Sequence, residues 1–262
     1  MTEPWLELCR AAAADVQEVL VRMPTRAERE RVVGRGKGGD ETAALDEAAE
    51  TATLRHFEGE DVRIVSEEIG FRGEGRYTVV VDPIDGSQNA ERGIPFFCLS
   101  VAVADGDTID DVFFGYVYDF GAGEEWTAWR GEGAFLNEQP LTTGPKDFIE
   151  FLSIEATRAA LVHERLRVLA PLTDRVRVMG AQAITYCHLA AGRTDAMAVL
   201  RPTRAVDFAA GQLLIRERGF AIALPDGPEL GEHPLDLESR SRVVAAGNEE
   251  LCARLATALL TD

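Results

Sequence analysis

The sequence predicts an α+β / α/β fold in two parts. An N-terminal α+β subdomain with an antiparallel sheet spans residues 1–145, and a C-terminal α/β subdomain spans 146–262. Three observations lead there. Strand-like runs crowd between residues 63 and 130, separated by short polar turns, as antiparallel neighbours require. After about residue 146, strand and helix patterns alternate. A length of 262 residues with 46% hydrophobic and 27% charged is enough for a substantial core.

Residues 5–22 read as a helix, because Leu6, Cys9, Ala12, Ala13, Val16 and Leu20 recur on one helical face. Arg31–Asp40 holds four glycines among charges and reads as a mobile loop. A helix is expected from Thr42 to Phe57, with Asp46 in its first turns. The strand runs are Arg63–Ser66, Tyr77–Asp82, Phe97–Ala104, Val112–Tyr118 and Glu125–Arg130, and Gly131–Asn137 reads as a glycine-rich hairpin. In the second part, strands are expected at Phe151–Ile154, Arg175–Met179, Asp195–Leu200, Phe220–Ala223 and Arg242–Ala246. Helices are expected at Arg158–Leu169, Ala181–Ala191, Val206–Arg218 and Glu249–Leu260.

Composition narrows the function. Forty-five acids oppose 27 bases for a net charge of −18, a surface that repels nucleic acid and anionic membrane. Only Lys37 and Lys146 are lysines. Abundant acid with almost no lysine is similar to proteins adapted to high salt, and a GC-rich genome gives the same bias toward arginine. No apolar run approaches the ~20 residues of a membrane span. Met1–Trp5 has no basic segment followed by an apolar one, so no signal peptide is read. The four cysteines are far apart and do not meet the four histidines at zinc spacing, so buried thiols in a reducing cytoplasm are expected.

Three acidic motifs end strands or open helices. Ser66-Glu67-Glu68-Ile69-Gly70 follows a strand, Asp82-Pro83-Ile84-Asp85-Gly86-Ser87 ends another, and Val206-Asp207-Phe208-Ala209-Ala210-Gly211 opens a helix. Each has a plainer reading: a solvated turn, a β-turn entering a helix, a helix cap. Asp-Pro-Ile-Asp-Gly is the specific one, because it sets two carboxylates and free backbone N–H groups at one strand end.

Together the motifs resemble the signature of the inositol monophosphatase family, which also includes fructose-1,6-bisphosphatases and 3′-phosphoadenosine phosphatases. The tryptophan that precedes the third motif's aspartate in that family is replaced by Val206. The likeness extends to Gly93–Phe97 and Gly131–Asn137 and is greatest to archaeal members. It implies a layered αβαβα sandwich and a metal-dependent phosphatase acting on inositol 1-phosphate, fructose 1,6-bisphosphate or both. Two or three Mg²⁺ ions are implied as cofactors. Glu67, Asp82 and the Ile84 carbonyl would hold the first, and Asp82, Asp85 and Asp207 the second. A third would lie near Glu67 and the 31–40 loop. Asp46 and Ser87, with Glu67, would activate water, and Gly86, Ser87 and Gln88 would cradle the phosphate beside Asp85. Gly180 and Ala181 match a substrate-side segment of the family.

Substrate choice is less marked. Animal-type relatives place a ring-contacting glutamate seven residues before the third motif's aspartate, where this chain has Leu200. Arg201 and Arg204 follow, either to hold a second phosphate or to pair with surface acids. A 3′-phosphoadenosine 5′-phosphate phosphatase and a non-catalytic homologue used for binding are the alternatives. The resemblance also implies a cytoplasmic homodimer.

Overall fold

The structure, a computed structural model, describes residues 3–37, 41–156 and 158–261. Helix α1 (Glu3–Arg22) turns Cys9, Ala12, Ala13 and Val16 inward, as its periodicity requires. A short α2 (Arg26–Arg29) follows, with Thr25 and Glu28 forming a reciprocal cap. Where a loop was expected, β1 (Val32–Arg35) pairs antiparallel with β2 (Glu41–Ala43). Residues 38–40 of that expected loop lie outside the described residues. Thr42 and Ala43 are held in this hairpin, so α3 (Ala44–Leu54) starts two residues later than the expected Thr42.

The next segment builds an eight-stranded sheet from β3 (Val62–Ser66), β4 (Gly70–Arg72) and β5 (Tyr77–Asp85). After α4 (Ser87–Arg92) come β6 (Cys98–Ala104), β7 (Val112–Asp119), β8 (Glu124–Trp129), β9 (Gly133–Leu136) and β10 (Gln139–Pro140). The strand order is β10-β9-β8-β7-β6-β5-β3-β4. Pairing is antiparallel throughout except between β3 and β5, which run parallel. Val79 and Val81 face one side and Val80 the other, and all three are buried, so β5 is an unbroken apolar run covered on both faces. The strand continues past Asp82 to Asp85 through an irregularity in register. Pro83 has no N–H to give, and a bulge is where a strand tolerates that.

The remaining chain forms β11 (Phe151–Glu155), α5 (Ala159–Leu169), β12 (Arg175–Arg177), α6 (Gln182–Ala190) and β13 (Ala196–Val199). It ends with α7 (Ala205–Glu217), β14 (Ala221–Ala223), β15 (Val244–Ala246) and α8 (Glu249–Leu260). These strands make a second sheet in the order β12-β11-β13-β15-β14. It is mixed: β12, β11 and β13 are parallel, and β15 runs against both its neighbours.

Five layers result. α1 and α3 cover one face of the first sheet, α6 and α7 fill the space between the sheets, and α5 and α8 cover the second sheet. Helices between two sheets must be apolar all round, and α7 buries Ala205, Val206 and every residue from Phe208 to Ile215. Gly211 permits the closest contact there, since a Cβ on it would lie 2.3 Å from the Tyr186 ring of α6. No helix among the described residues is long and apolar enough to cross a membrane.

Candidate active site

β5 delivers Asp82 and Asp85 to one end of the first sheet, both 7% exposed. Gly86 then takes φ +89°, a conformation that suits glycine, and a Cβ there would press within 3.0 Å of Ala181 and the Phe96 carbonyl. That close approach sets the Gly180-Ala181 segment against the Asp85–Ser87 turn. Asn89 of α4 fastens the two, donating to the carbonyls of Phe96 at 2.8 Å and Met179 at 2.9 Å.

Carboxylate oxygens of Glu67, Asp82 and Asp207 all lie within 4.8 Å of one another. Asp82 accepts the Ile84 N–H at 3.1 Å. Asp207 is the third residue of α7 and accepts the Arg204 N–H at 2.9 Å and the Thr203 hydroxyl. Asp85 is held from the far side by the N-terminus of α6, whose Gln182 and Ala183 N–H groups donate at 3.1 and 2.6 Å. The Cys98 thiol lies 3.6 Å from it.

Asp46 is in the first turn of α3, and its Oδ1 is buried with no partner among the described residues. The Ser87 hydroxyl lies against it and also donates to the Ile84 carbonyl at 2.9 Å. Glu50, one helical turn on, takes the Ser66 hydroxyl and the Ile69 N–H at 3.2 Å, so α3 also anchors the turn that carries Glu67.

Burial and mutual repulsion dominate the electrostatics. Burial is the main cause that pushes Asp46, Glu67 and Asp85 up to about 7. Asp82 is raised well above the carboxylate range by burial and then by Asp85, Glu67 and Asp207. These groups retain protons at a pH where free carboxylates have lost them. A dense set of buried oxygen donors that repel one another, one of them orphaned, fits hard divalent cations, whose charge would remove the repulsion.

The N–H groups of Gly86, Ser87 and Gln88 meet no protein acceptor among the described residues, which leaves them free for an anion. A cavity of about 620 Å³ opens beside them. It is lined by the predicted Asp85, Gly86, Ser87, Gln88, Gly180, Arg201, Arg204 and Asp207. Arg204 differs from both expectations. Its guanidinium is 7% exposed and engages Glu67, neither a surface acid nor open solvent.

Sequence reasoning missed Glu155, Gln182, Arg158 and Arg240, which share this cavity. Glu155 had a signal, an acid ending a strand of an α/β half, where ligands gather. The two arginines sit in loops with no pattern to mark them. Burial lifts Glu155 to about 8. The guanidiniums of Arg158, Arg201 and Arg240 form no ion pair or hydrogen bond among the described residues, in a chain where acids outnumber bases.

Clustered carboxylates at a sheet end, a cradle of amides with no protein acceptor among the described residues, and a layered αβαβα frame together define a metal-dependent phosphatase. Comparison with known proteins gives the family: the description "Inositol monophosphatase family" matches residues 1–261, and the chain belongs to that family. It is 35% identical over 253 residues to the fructose-1,6-bisphosphatase/inositol-1-monophosphatase of Archaeoglobus fulgidus, covering 95% of this chain and 96% of that one. A protein of the same description from Methanocaldococcus jannaschii is 32% identical, with 94% and 96% covered. Among solved structures, an inositol monophosphatase-fructose 1,6 bisphosphatase superposes with a TM-score of 0.85 at 30% identity, covering 97% of this chain and 99% of that one.

Proposed function

We propose that this chain is a Mg²⁺-dependent phosphomonoester hydrolase that releases phosphate from a sugar or inositol phosphate. The carrying observation is the meeting of Glu67, Asp82 and Asp207 within 4.8 Å beside free amides and a cavity of about 620 Å³. Glu67, Asp82, Asp85, Asp207 and the Ile84 carbonyl would hold two ions, with a third near Glu67. When bound, such ions supply charge that stabilises the attacking and leaving oxygens of an in-line displacement.

The chain's own groups supply the rest. The amides of Gly86, Ser87 and Gln88 hold the phosphate oxygens, with Gly180 on the substrate side and Ala181, expected there too, buried behind it. Water is the nucleophile: the Ser87 hydroxyl, although it lies against Asp46, is turned to the Ile84 carbonyl. The Ser87 hydroxyl orients that water, and Asp46, poised near neutral pH with a free oxygen, takes its proton. A water held near Asp207 would protonate the leaving oxygen, and the product departs into the cavity as the alcohol.

Three unpaired guanidiniums, Arg158, Arg201 and Arg240, suit a second phosphate at the cavity rim, which favours fructose 1,6-bisphosphate over inositol 1-phosphate. Four free, buried cysteines support a reducing cytoplasm. Ile94, Val178 and Met179, apolar and exposed around Asn89, support a homodimer. The test is phosphate release from both substrates with and without Mg²⁺, for the parent and for Arg201→Ala. Mg²⁺-dependent turnover is expected, with KM rising about tenfold or more for the bisphosphate alone. No release from either substrate refutes the reading.

A further inference from the structure

Glu155 is the buried acid of the cavity for which the hydrolytic chemistry has no use. β11 buries Leu152 and Ile154 against α8, and by alternation sends Ser153 and Glu155 toward α6. Glu155 ends the strand, lines the cavity and is only 6% exposed. The Thr185 hydroxyl sits 2.5 Å from its Oε1, and the Gly180 N–H donates to the carboxyl as well. A carboxyl group accepts at about four lone-pair positions, so two protein donors leave it capacity toward the cavity.

Gln182 lies beside it on the same wall, 9% exposed. One of its amide hydrogens goes to the Tyr186 hydroxyl at 3.1 Å, and its backbone N–H goes to Asp85. The second hydrogen and the carbonyl oxygen of that amide have no partner among the described residues. Two polar side chains are therefore fixed from behind and unsatisfied in front. The arginines occupy the rim, and the carboxylates of Asp85 and Asp207 the reacting end.

We propose that Glu155 and Gln182 form a hydroxyl-reading floor that selects phosphorylated polyols over phosphate esters without hydroxyl groups. This rests on the phosphatase reading and names the part of the substrate between its phosphates. Adjacent ring hydroxyls each donate and accept, which a carboxyl next to an amide can match. A buried site built for hydroxyls is left unpaired by an ester that lacks them, and the penalty for that is large.

The experiment compares kcat/KM for inositol 1-phosphate and fructose 1,6-bisphosphate with that for para-nitrophenyl phosphate, in the Mg²⁺-loaded full chain. Glu155→Leu is expected to lower the ratio of polyol to para-nitrophenyl turnover about 10- to 100-fold, through KM. Glu155→Gln, which keeps an acceptor oxygen, is expected to retain most of the ratio. Gln182→Leu keeps the backbone N–H that serves Asp85 and is expected to lower the ratio about tenfold. It decides the matter if Glu155→Leu does not fold. A ratio unchanged within about twofold in the folded variants, as equal loss on all esters would give, overturns the floor and leaves the phosphatase reading intact. A parent enzyme that cleaves para-nitrophenyl phosphate but neither polyol overturns the substrate reading and the floor with it.

Discussion

Replacing Asp82 with Asn should stabilise the metal-free protein while destroying its activity. Asn has the same shape and keeps the oxygen that accepts the Ile84 N–H at 3.1 Å. It removes one charge lying within 4.8 Å of Glu67 and Asp207. At an effective dielectric of about 20, each such pair repels by about 3.5 kcal/mol when both members are ionised. Glu67 is pushed up to about 7, so it carries only part of its charge near neutral pH. The adjacent Arg204 offsets more. A net gain of about 2–3 kcal/mol at pH 8 remains.

The sign follows from the raised pKa of Asp82. Near pH 4 the folded chain keeps this proton and the unfolded chain holds it almost half the time, so wild type and variant melt close together. As pH rises toward 8 the unfolded chain releases the proton freely, whereas the folded chain must either hold it or bear the repulsion of Glu67 and Asp207, so wild type loses stability that the variant keeps. Thermal melts after dialysis against EDTA should show only a small gap near pH 4. At pH 8 the variant should melt about 5–10 °C higher, given roughly 2–4 °C per kcal/mol for a chain this long. An Asn variant that melts with or below wild type at pH 8 would show that the carboxylates are not strained against one another.

Ser87→Ala removes the hydroxyl that holds Asp46 down, so the acidic limb of the kcat/KM profile should move to higher pH and kcat should fall roughly 100-fold; steady-state kinetics from pH 5 to 9 would read both. Gly211→Ala places a methyl 2.3 Å from the Tyr186 ring and should cost about 1–3 kcal/mol, visible as a lower urea midpoint at an unchanged slope. With a net charge of −18, the melting temperature should climb as KCl rises toward molar concentration, and a flat salt series would remove the case for high-salt adaptation.

What the sequence made legible was what periodicity and motif chemistry control. α8 spans Glu249–Leu260 as read, because its caps and apolar stripe agree. β3 and β6 were found to within a residue for the same reason, β5 was read three residues short at its Asp85 end, and Asp82, Asp85 and Asp207 stood out by their motifs. Pairing direction was not legible: β3 and β5 run parallel because β4 intervenes, and β4 is only three residues long. The hairpin β1–β2 was read as a loop because all four β1 residues are exposed and no alternation marks them. At the site, Arg204 looked like any arginine near an acid, and only tertiary folding sets it on Glu67, 137 residues away. Arg158 and Arg240 reach one cavity from loops 82 positions apart, a convergence no local pattern encodes.

The placing of β15 between β13 and β14 has a consequence for biogenesis. β15, the last strand in sequence among the described residues, lies inside the second sheet, so a nascent chain lacks that sheet's central pairing until residue 246 has left the ribosome. α7, which carries Asp207, rests between the two sheets, so its acid gains a fixed position only then. An unfinished or truncated chain holds the acids of β5 without their partner on α7. The seat of Asp207 thus depends on a strand that lies far from it in sequence and carries none of the clustered acids.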